Sequence, residues 1–438
     1  MPSSNKLYVG DNLDVMHGMN SGTVDLIYLD PPFNSKRMYQ APIGSPAEKK
    51  AAARGKTAGF HDIWVWSEDV DIRLESFLDK HPYLFAYIDL VGGMHGLAMK
   101  AYLTFMAQRL IEMHRILKDT GSLYLHCDPT ASHYLKLLLD DIFGKENFRN
   151  EVLWVYNRFS RRGDGFPSMH DVILFYSKSK DLTFNKQEVA PRDPARYEIG
   201  YHTVVDRGVR KLLVYDESKA KEKIKEAKKE GTTIAYTEAT APTMGNVWSD
   251  ISIINPRSKE RTGYPTQKPL ALLHRIVEAS SNEGDLVMDP FCGCATTCVA
   301  AQNMHRNWIG IDVSEVAAEL VADRLSEEEG GQTKLFTNFD AISKAPTRTD
   351  LEKLTWSKEK IRQHFYGIQN GNCNGCGTHF DHAKHFHIDH IYPQSKGGAW
   401  HLENLQLLCG NCNSIKGDRP MEYLQSAIRQ RKSQIKLF

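Results

Sequence analysis

Residues 24–29 form an apolar, β-branched run that ends in Asp30-Pro31-Pro32-Phe33-Asn34. Successive prolines after a strand make a rigid, extended turn that lacks two N–H donors, so the Asp30 carboxylate and the Pro31 carbonyl project as acceptors. Two convergent acceptors match the two hydrogens of an amino group on an aromatic ring. Such a nitrogen is a weak nucleophile because its lone pair is delocalised. Hydrogen bonds that favour a pyramidal nitrogen free the pair for in-line attack on a methyl donor, with positioning and electrostatics supplying most of the acceleration. Phe33 adds a flat face for a base turned out of a duplex. From these residues alone, a turn that merely closes a strand reads equally well.

Asp285-Leu286-Val287-Met288-Asp289-Pro290-Phe291-Cys292-Gly293-Cys294-Ala295-Thr296-Thr297 reads as a strand, a small-residue turn and a helix beginning near Thr296. A helix start offers free N–H groups and a positive dipole end, which suit the carboxylate of an amino-acid-like cofactor. Gly293 lets the backbone approach closely. About twenty residues on, Trp308-Ile309-Gly310-Ile311-Asp312 is a second strand ending in an acid, the arrangement that holds ribose hydroxyls in dinucleotide folds. A ligand-free strand, turn and helix is the plainer alternative.

Cys373-Asn374-Gly375-Cys376 and Cys409-Gly410-Asn411-Cys412 each present two thiolates from a tight knuckle, and four thiolates complete a closed zinc site. The intervening segment is long enough to carry a fold of its own and contains His387-Ile388-Asp389-His390-Ile391-Tyr392-Pro393 and Asn404-Leu405-Gln406. Cys127, Cys292, Cys294 and Cys298 lie in apolar segments elsewhere.

These residues need a scaffold, and the pattern predicts one. Strands are expected at 6–9, 24–29, 122–126 and 172–176, with helices at 98–117 and 131–143, and the alternation resumes at 270–279, 286–289 and 308–312. This is the pattern of a parallel α/β sheet. Residues 186–245 are polar and look inserted, with a charged helix at 217–229 that lacks a strong apolar face. A polar run after Arg324 reads as a linker. The expected domains are 1–185 and 246–328 as two halves of one core, 186–245 as an insertion, 329–357 as the linker and 358–438 as the cysteine module.

A length of 438 residues suggests two or three domains, and 41% hydrophobic with 25% charged residues is a globular composition. The net charge of +1 says nothing about partners, but the module from Lys358 onward holds eleven basic and six acidic residues. The polar start and the lack of a long apolar run predict a cytoplasmic protein without membrane spans.

Asp30-Pro31-Pro32-Phe33 with the Phe291-Cys292-Gly293 loop resembles the amino-methyltransferases of DNA. The order, catalytic element first and cofactor loop last, resembles their permuted β class over about residues 6–185 and 245–325. The resemblance implies a circularly permuted Rossmann-like sheet, S-adenosylmethionine (SAM) as methyl donor and double-stranded DNA as partner. Adenine N6 is the implied target, while cytosine N4 presents the same two hydrogens and stays open. By resemblance, Asp30, Pro31, Pro32 and Phe33 are catalytic and Asp11 meets the SAM adenine. Thr266, Gln267 and Lys268 of Tyr264-Pro265-Thr266-Gln267-Lys268-Pro269 line its methionine end. Asp289, Phe291, Gly293, Thr296 and Asp312 complete the pocket. The insertion corresponds to the target-recognition region, and Arg158, Arg161 and Arg162 read either as a phosphate-contacting loop or as a solvated one. One departure stands out: Cys292-Gly293-Cys294-Ala295 lacks the family's second glycine.

The terminal module resembles the HNH nucleases over about residues 365–425, which implies a small zinc-stapled ββα domain. Asp389 and Asn413 are then oxygen ligands for Mg²⁺ or Mn²⁺, His390 deprotonates a water, and Asn404 holds the His390 loop. His387 has no assigned role. Lys416, Arg419, Arg429, Arg431 and Lys432 read as phosphate contacts. A zinc module that only binds DNA is the alternative. Together the two motif sets imply a single-chain restriction-modification enzyme, alone or as a homodimer.

Overall fold

The computed structural model describes residues 5–35, 37–40, 45–53, 59–78, 80–157, 165–186, 201–206, 209–214, 217–236, 244–255, 257–258, 260–315, 319–321, 324 and 339–435. Arg158, Arg161, Arg162 and Gly163 lie outside them.

Among the described residues, nine strands form the main sheet: β1 (Asn5–Val9), β2 (Val24–Leu29), β3 (Leu117–Cys127), β4 (Phe148–Val155), β5 (His170–Ser177), β6 (Val247–Trp248), β7 (Leu286–Asp289), β8 (Asn307–Asp312) and β9 (Phe339–Ile342). Their spatial order is β6-β4-β5-β3-β2-β7-β8-β1-β9. Only β5 runs antiparallel to its neighbours. The central strands are apolar on both faces, as a parallel sheet covered by helices requires: Leu26, Ile27 and Leu29 are fully buried. Among the covering helices are α1 (Asn12–Gly18), α2 (Glu68–Glu75), α3 (Leu97–Ile116), α4 (Leu270–Ser280) and α5 (Thr296–Asn303). Leu103, Met106, Leu110 and Met113 of α3 pack into the largest core cluster.

The chain departs from its sequence pattern in three places. The helix expected over 131–143 is α-helical only over Ser132–Leu139 and then widens into a π-turn at Asp140–Gly144. The segment that composition marks as a linker contributes β9, which pairs with β1 at the sheet edge. Beyond it, Thr349 and Asp350 are held by Asn20 and the Ser21 N–H. Polarity alone cannot reveal such pairing because the partner strand lies more than 300 residues away.

Residues Asn185–Asn246 form a separate compact unit. Its strand Val209–Val214 pairs antiparallel with Tyr201–Asp206 and parallel with Thr233–Tyr236. The helix Glu217–Lys229 does carry an apolar face: Ala220, Ile224 and Ala227, spaced one turn apart, bury against Leu212 and Val214.

The terminal module is a hairpin of β10 (Phe386–His390) and β11 (Leu405–Cys409) followed by α6 (Gly410–Lys416) and α7 (Met421–Ile435). Its own core includes Ile361, Phe365, Phe386, Leu407 and Leu424. The module sits against α1. Asp14 accepts hydrogen bonds from the Tyr392 hydroxyl and, at 3.1 Å, from Lys396 Nζ. The His17 and Tyr392 rings lie 4.0 Å apart. Gly18 is wedged in this contact, where a Cβ would fall 1.9 Å from the Pro346 carbonyl oxygen. No helix among the described residues is long and apolar enough to cross a membrane.

Gly18→Ala is therefore expected to lower stability by about 2 kcal/mol or more, through backbone displacement rather than lost apolar contact. Urea unfolding of the full chain measures it, and an unchanged midpoint would refute the close packing described.

Candidate active sites

Strands β2, β7 and β8 are adjacent and parallel, so the loops leaving their C-terminal ends share one edge of the sheet. In open α/β folds this edge is where ligands bind. A solvent-open cleft of about 820 Å³ lies there, within the usual range for small-molecule sites. Its wall includes Asp30, Pro32, Thr266, Gln267 and Lys268 on one side and Asp289, Phe291, Gly293, Thr296 and Asp312 on the other.

The cofactor-loop side is built from buried carboxylates that hold backbone. Asp289 accepts from the Phe291 N–H at 3.0 Å and from the Thr297 hydroxyl at 2.5 Å. Burial pushes its carboxyl up to about 7. Asp312 accepts from the Gly293 and Ser314 N–H groups at 2.9 and 2.8 Å, and burial raises it too. Gly293 has a φ of 48°, and a Cβ there would meet the Tyr264 ring at 2.9 Å. Ala295, the departure noted in the sequence, takes a left-handed conformation at φ 56° and caps α5. The loop thus keeps a glycine-like backbone at a steric cost. Arg324, which sequence reading passed over, braces this turn from the Cys294 carbonyl and the Thr296 hydroxyl.

On the other side, Asp30 and Lys268 form an ion pair, with Nζ 2.5 Å from Oδ2. Asp30 Oδ1 is buried and has no hydrogen-bond partner among the described residues. The Asp30-Pro31-Pro32-Phe33 loop is pinned from behind by Asp62, which is 1% exposed. Its carboxylate accepts from the N–H groups of Phe33, Asn34 and Ser35 and from the Trp64 indole. Nothing local in the sequence marks Asp62, because its partners lie 27 to 29 residues away. His126, fully buried, lies nearly parallel to the Phe33 ring with centroids 6.3 Å apart. It is held between the Tyr28 hydroxyl and Asp171, each at 2.9 Å. Burial pushes the Asp171 carboxyl up, and the hydrogen bond and charge of His126 outweigh this and hold it down at about 2.

Two residues fall elsewhere. Pro31 is buried beside the cleft without lining it. Asp11 is not in the wall; it caps α1 through the Leu13 N–H and pairs with Arg109 at 2.8 Å. Gln267 lines the cleft but spends its amide on Thr262 and the Glu260 carbonyl.

In the terminal module, one sulfur from each of Cys373, Cys376, Cys409 and Cys412 lies within 4.8 Å of all the others, a spacing that fits tetrahedral zinc. Asn404 donates to the Tyr392 and Ala399 carbonyls and accepts from the Tyr392 N–H, fixing the loop after His390. His390 Nε2 is buried without a partner among the described residues, and burial lowers the ring's pKa. Asp389 receives Gln406 Nε2 at 2.9 Å and Lys416 Nζ at 3.1 Å. Lys416 is 1% exposed and so is no surface phosphate contact, a correction to the sequence reading. The α6 fold carries it inward, one turn after Asn413 on the same helix face. Arg429 is likewise engaged, by Glu75. Arg419 lies over the Tyr423 ring, Arg431 is exposed, and the Lys432 side chain is outside the described set.

The N6_N4_Mtase model, described as DNA methylase, matches residues 24–323. The chain belongs to this DNA methylase family. Residues 373–419 match the HNH endonuclease model, so the methylase carries an HNH domain. It is 32% identical to the type II methyltransferase M.EcaI of Enterobacter cloacae over 270 residues, 52% of this chain and 58% of that relative. The chain thus spans just over half of M.EcaI. The DNA adenine methyltransferase YhdJ of Escherichia coli K12 is 26% identical, covering 74% of this chain and 86% of its own. A DNA modification methylase of Thermus thermophilus, solved with S-adenosyl-L-methionine, aligns with a TM-score of 0.39 at 18% identity or less, covering 77% and 98% of the two chains.

Ala295→Gly is expected to stabilise the methylase by about 0.5–1 kcal/mol by relieving the left-handed strain, read as a rise in thermal midpoint. Asp171→Asn should lose ~2 kcal/mol at pH 7. A carboxyl depressed in the folded state stabilises above its unfolded pKa and loses that contribution as pH falls toward about 2. The deficit should therefore shrink by roughly half near pH 3 in urea unfolding; a deficit independent of pH would contradict the ion pair.

Proposed function

We propose that the methylase transfers a methyl group from SAM to the N6 amino group of adenine in duplex DNA. The observation that carries this reading is Asp30: a buried carboxylate with one unpartnered oxygen, on the same cleft as the loop of Asp289, Gly293 and Thr296. That loop suits SAM chemically, because the α5 N-terminus offers N–H groups to a carboxylate and Asp312 lies where ribose hydroxyls are held in dinucleotide folds. SAM supplies the electrophilic methyl group. The chain's own residues do the rest: Asp30 and the Pro31 carbonyl take the amino hydrogens, Phe33 stacks the base, and Asp62 holds the loop that carries them. The adenine assignment draws on the Asp-Pro-Pro-Phe form and on the similarity to YhdJ. Asp30→Ala is expected to reduce methylation by two or more orders of magnitude, and nucleoside mass spectrometry of methylated DNA identifies the base. N4-methylcytosine alone would overturn the adenine assignment.

For the HNH domain we infer DNA cleavage. His390, kept neutral by burial, has a ring nitrogen free to take a proton from water. Asp389 and Asn413 are hard oxygen donors that would hold Mg²⁺ or Mn²⁺, whose charge would offset that of the phosphate. The four cysteines would hold a structural zinc ion. One observation favours a second reading, a domain that only docks on DNA: the Lys416 ammonium already neutralises Asp389. Nicking of unmethylated supercoiled DNA with either metal, lost in His390→Ala, is the expected result. Intact DNA with both metals, together with DNA affinity unchanged by His390→Ala, would establish the docking role.

A further inference from the structure

We propose that Lys268 is a positioning residue for methyl transfer: it clamps one oxygen of Asp30 and so dedicates the other to an amino hydrogen of the target base. The inference rests on the role given to Asp30 above.

Sequence resemblance places Lys268 on the methionine end of the cofactor. The structure sends its ammonium the other way. Lys268 Nζ lies 2.5 Å from Asp30 Oδ2 and 5.5 Å from the centre of the Phe33 ring, and its side chain is 9% exposed. The ammonium thus reaches both ends of the Asp30-Pro31-Pro32-Phe33 element across 238 positions of sequence.

The backbone behind Lys268 is braced. Gln267 ties back to Thr262 and Glu260, Glu260 accepts from the Leu270 N–H at the start of α4, and Pro269 precedes that helix. A long side chain on a fixed stem, with its head paired, can hold a carboxylate in one rotamer. Without the clamp, either Asp30 oxygen could turn toward the base, and a charge at a buried position would lack its counterion.

The chemistry requires a dedicated oxygen. As the target nitrogen takes the methyl group, the N–C bond forms from its lone pair, the S–C electron pair stays on sulfur, and one N–H proton must leave. Asp30 Oδ1, buried and unpartnered, accepts that proton, and Oδ2 stays with Lys268. The cofactor carboxylate does not need Lys268, because the α5 N-terminus and the Gly293 turn face it.

The test compares the wild-type chain with Lys268→Met, Lys268→Gln and Lys268→Arg. Calorimetric binding of S-adenosylhomocysteine reports both cofactor affinity and an intact fold, and single-turnover transfer of labelled methyl to unmethylated genomic DNA reports the chemical step at saturating SAM. The expected result is a fall of about 100-fold or more in the single-turnover rate for Met and Gln. Cofactor affinity should stay within about threefold, and Arg should recover most of the rate because it can still pair with Asp30. Lost affinity with a normal rate at saturation would make Lys268 a cofactor ligand and overturn the inference, as would variants unchanged in both. If the wild-type chain binds the cofactor but methylates no DNA, the methyl-transfer reading itself fails, and this inference with it.

Discussion

The parallel pairing of β2 with β7 is the constraint on which the candidate methyl-transfer site depends. Val287 lies beside Leu26 and Met288 beside Ile27, although about 260 residues separate them. Because the strands run in the same direction, the Asp30 loop and the Asp289 loop leave the sheet at the same edge. An antiparallel or slipped pairing would send them to opposite ends or turn the buried faces outward. The apolar character of both strands enforces the pairing, since each must be covered on two faces and flanked on two edges.

Around that edge the molecule gathers charge in a place that water reaches poorly, and the geometry compensates it locally. Asp30 has Lys268, Asp171 has His126, and Asp289 and Asp312 spend their oxygens on hydroxyl and backbone N–H groups. Buried ionic groups without such partners would be strongly destabilising. The unpartnered Oδ1 of Asp30 is therefore informative: it marks an unused acceptor inside a network where the surrounding carboxylates are engaged.

The HNH domain is folded by different means. Its core is small, and the cysteine quartet ties the turn before β10 to the start of α6. It also rests on α1, where Asp14 receives Tyr392 and Lys396 from the loop that follows His390. The same short helix begins at Asn12, whose amide donates to the Pro290 carbonyl in the Asp289 loop at 2.8 Å. Both candidate centres thus take part of their support from one element.

Much of this was local and therefore legible. Strand β2 was readable from a β-branched run closed by two prolines, the Gly293 turn and α5 from small residues before a helix start, and the zinc knuckles from paired cysteines. Each signal lies within a dozen residues, where backbone sterics and ligand valence act directly. Asp62, His126 and Arg324 carried no such signal, because a carboxylate, imidazole or guanidinium acquires its role only from what folding brings against it. The same holds for Lys416, whose charge reads as surface yet is buried on Asp389, and for Lys268, which neighbours the cofactor loop in sequence but meets Asp30 in space. Which chemical groups are present, and the local turns that display them, could be read from the chain alone. Which groups face one another was settled by the fold, because long-range strand pairing and burial, not residue type, set the distances on which their electrostatics depend.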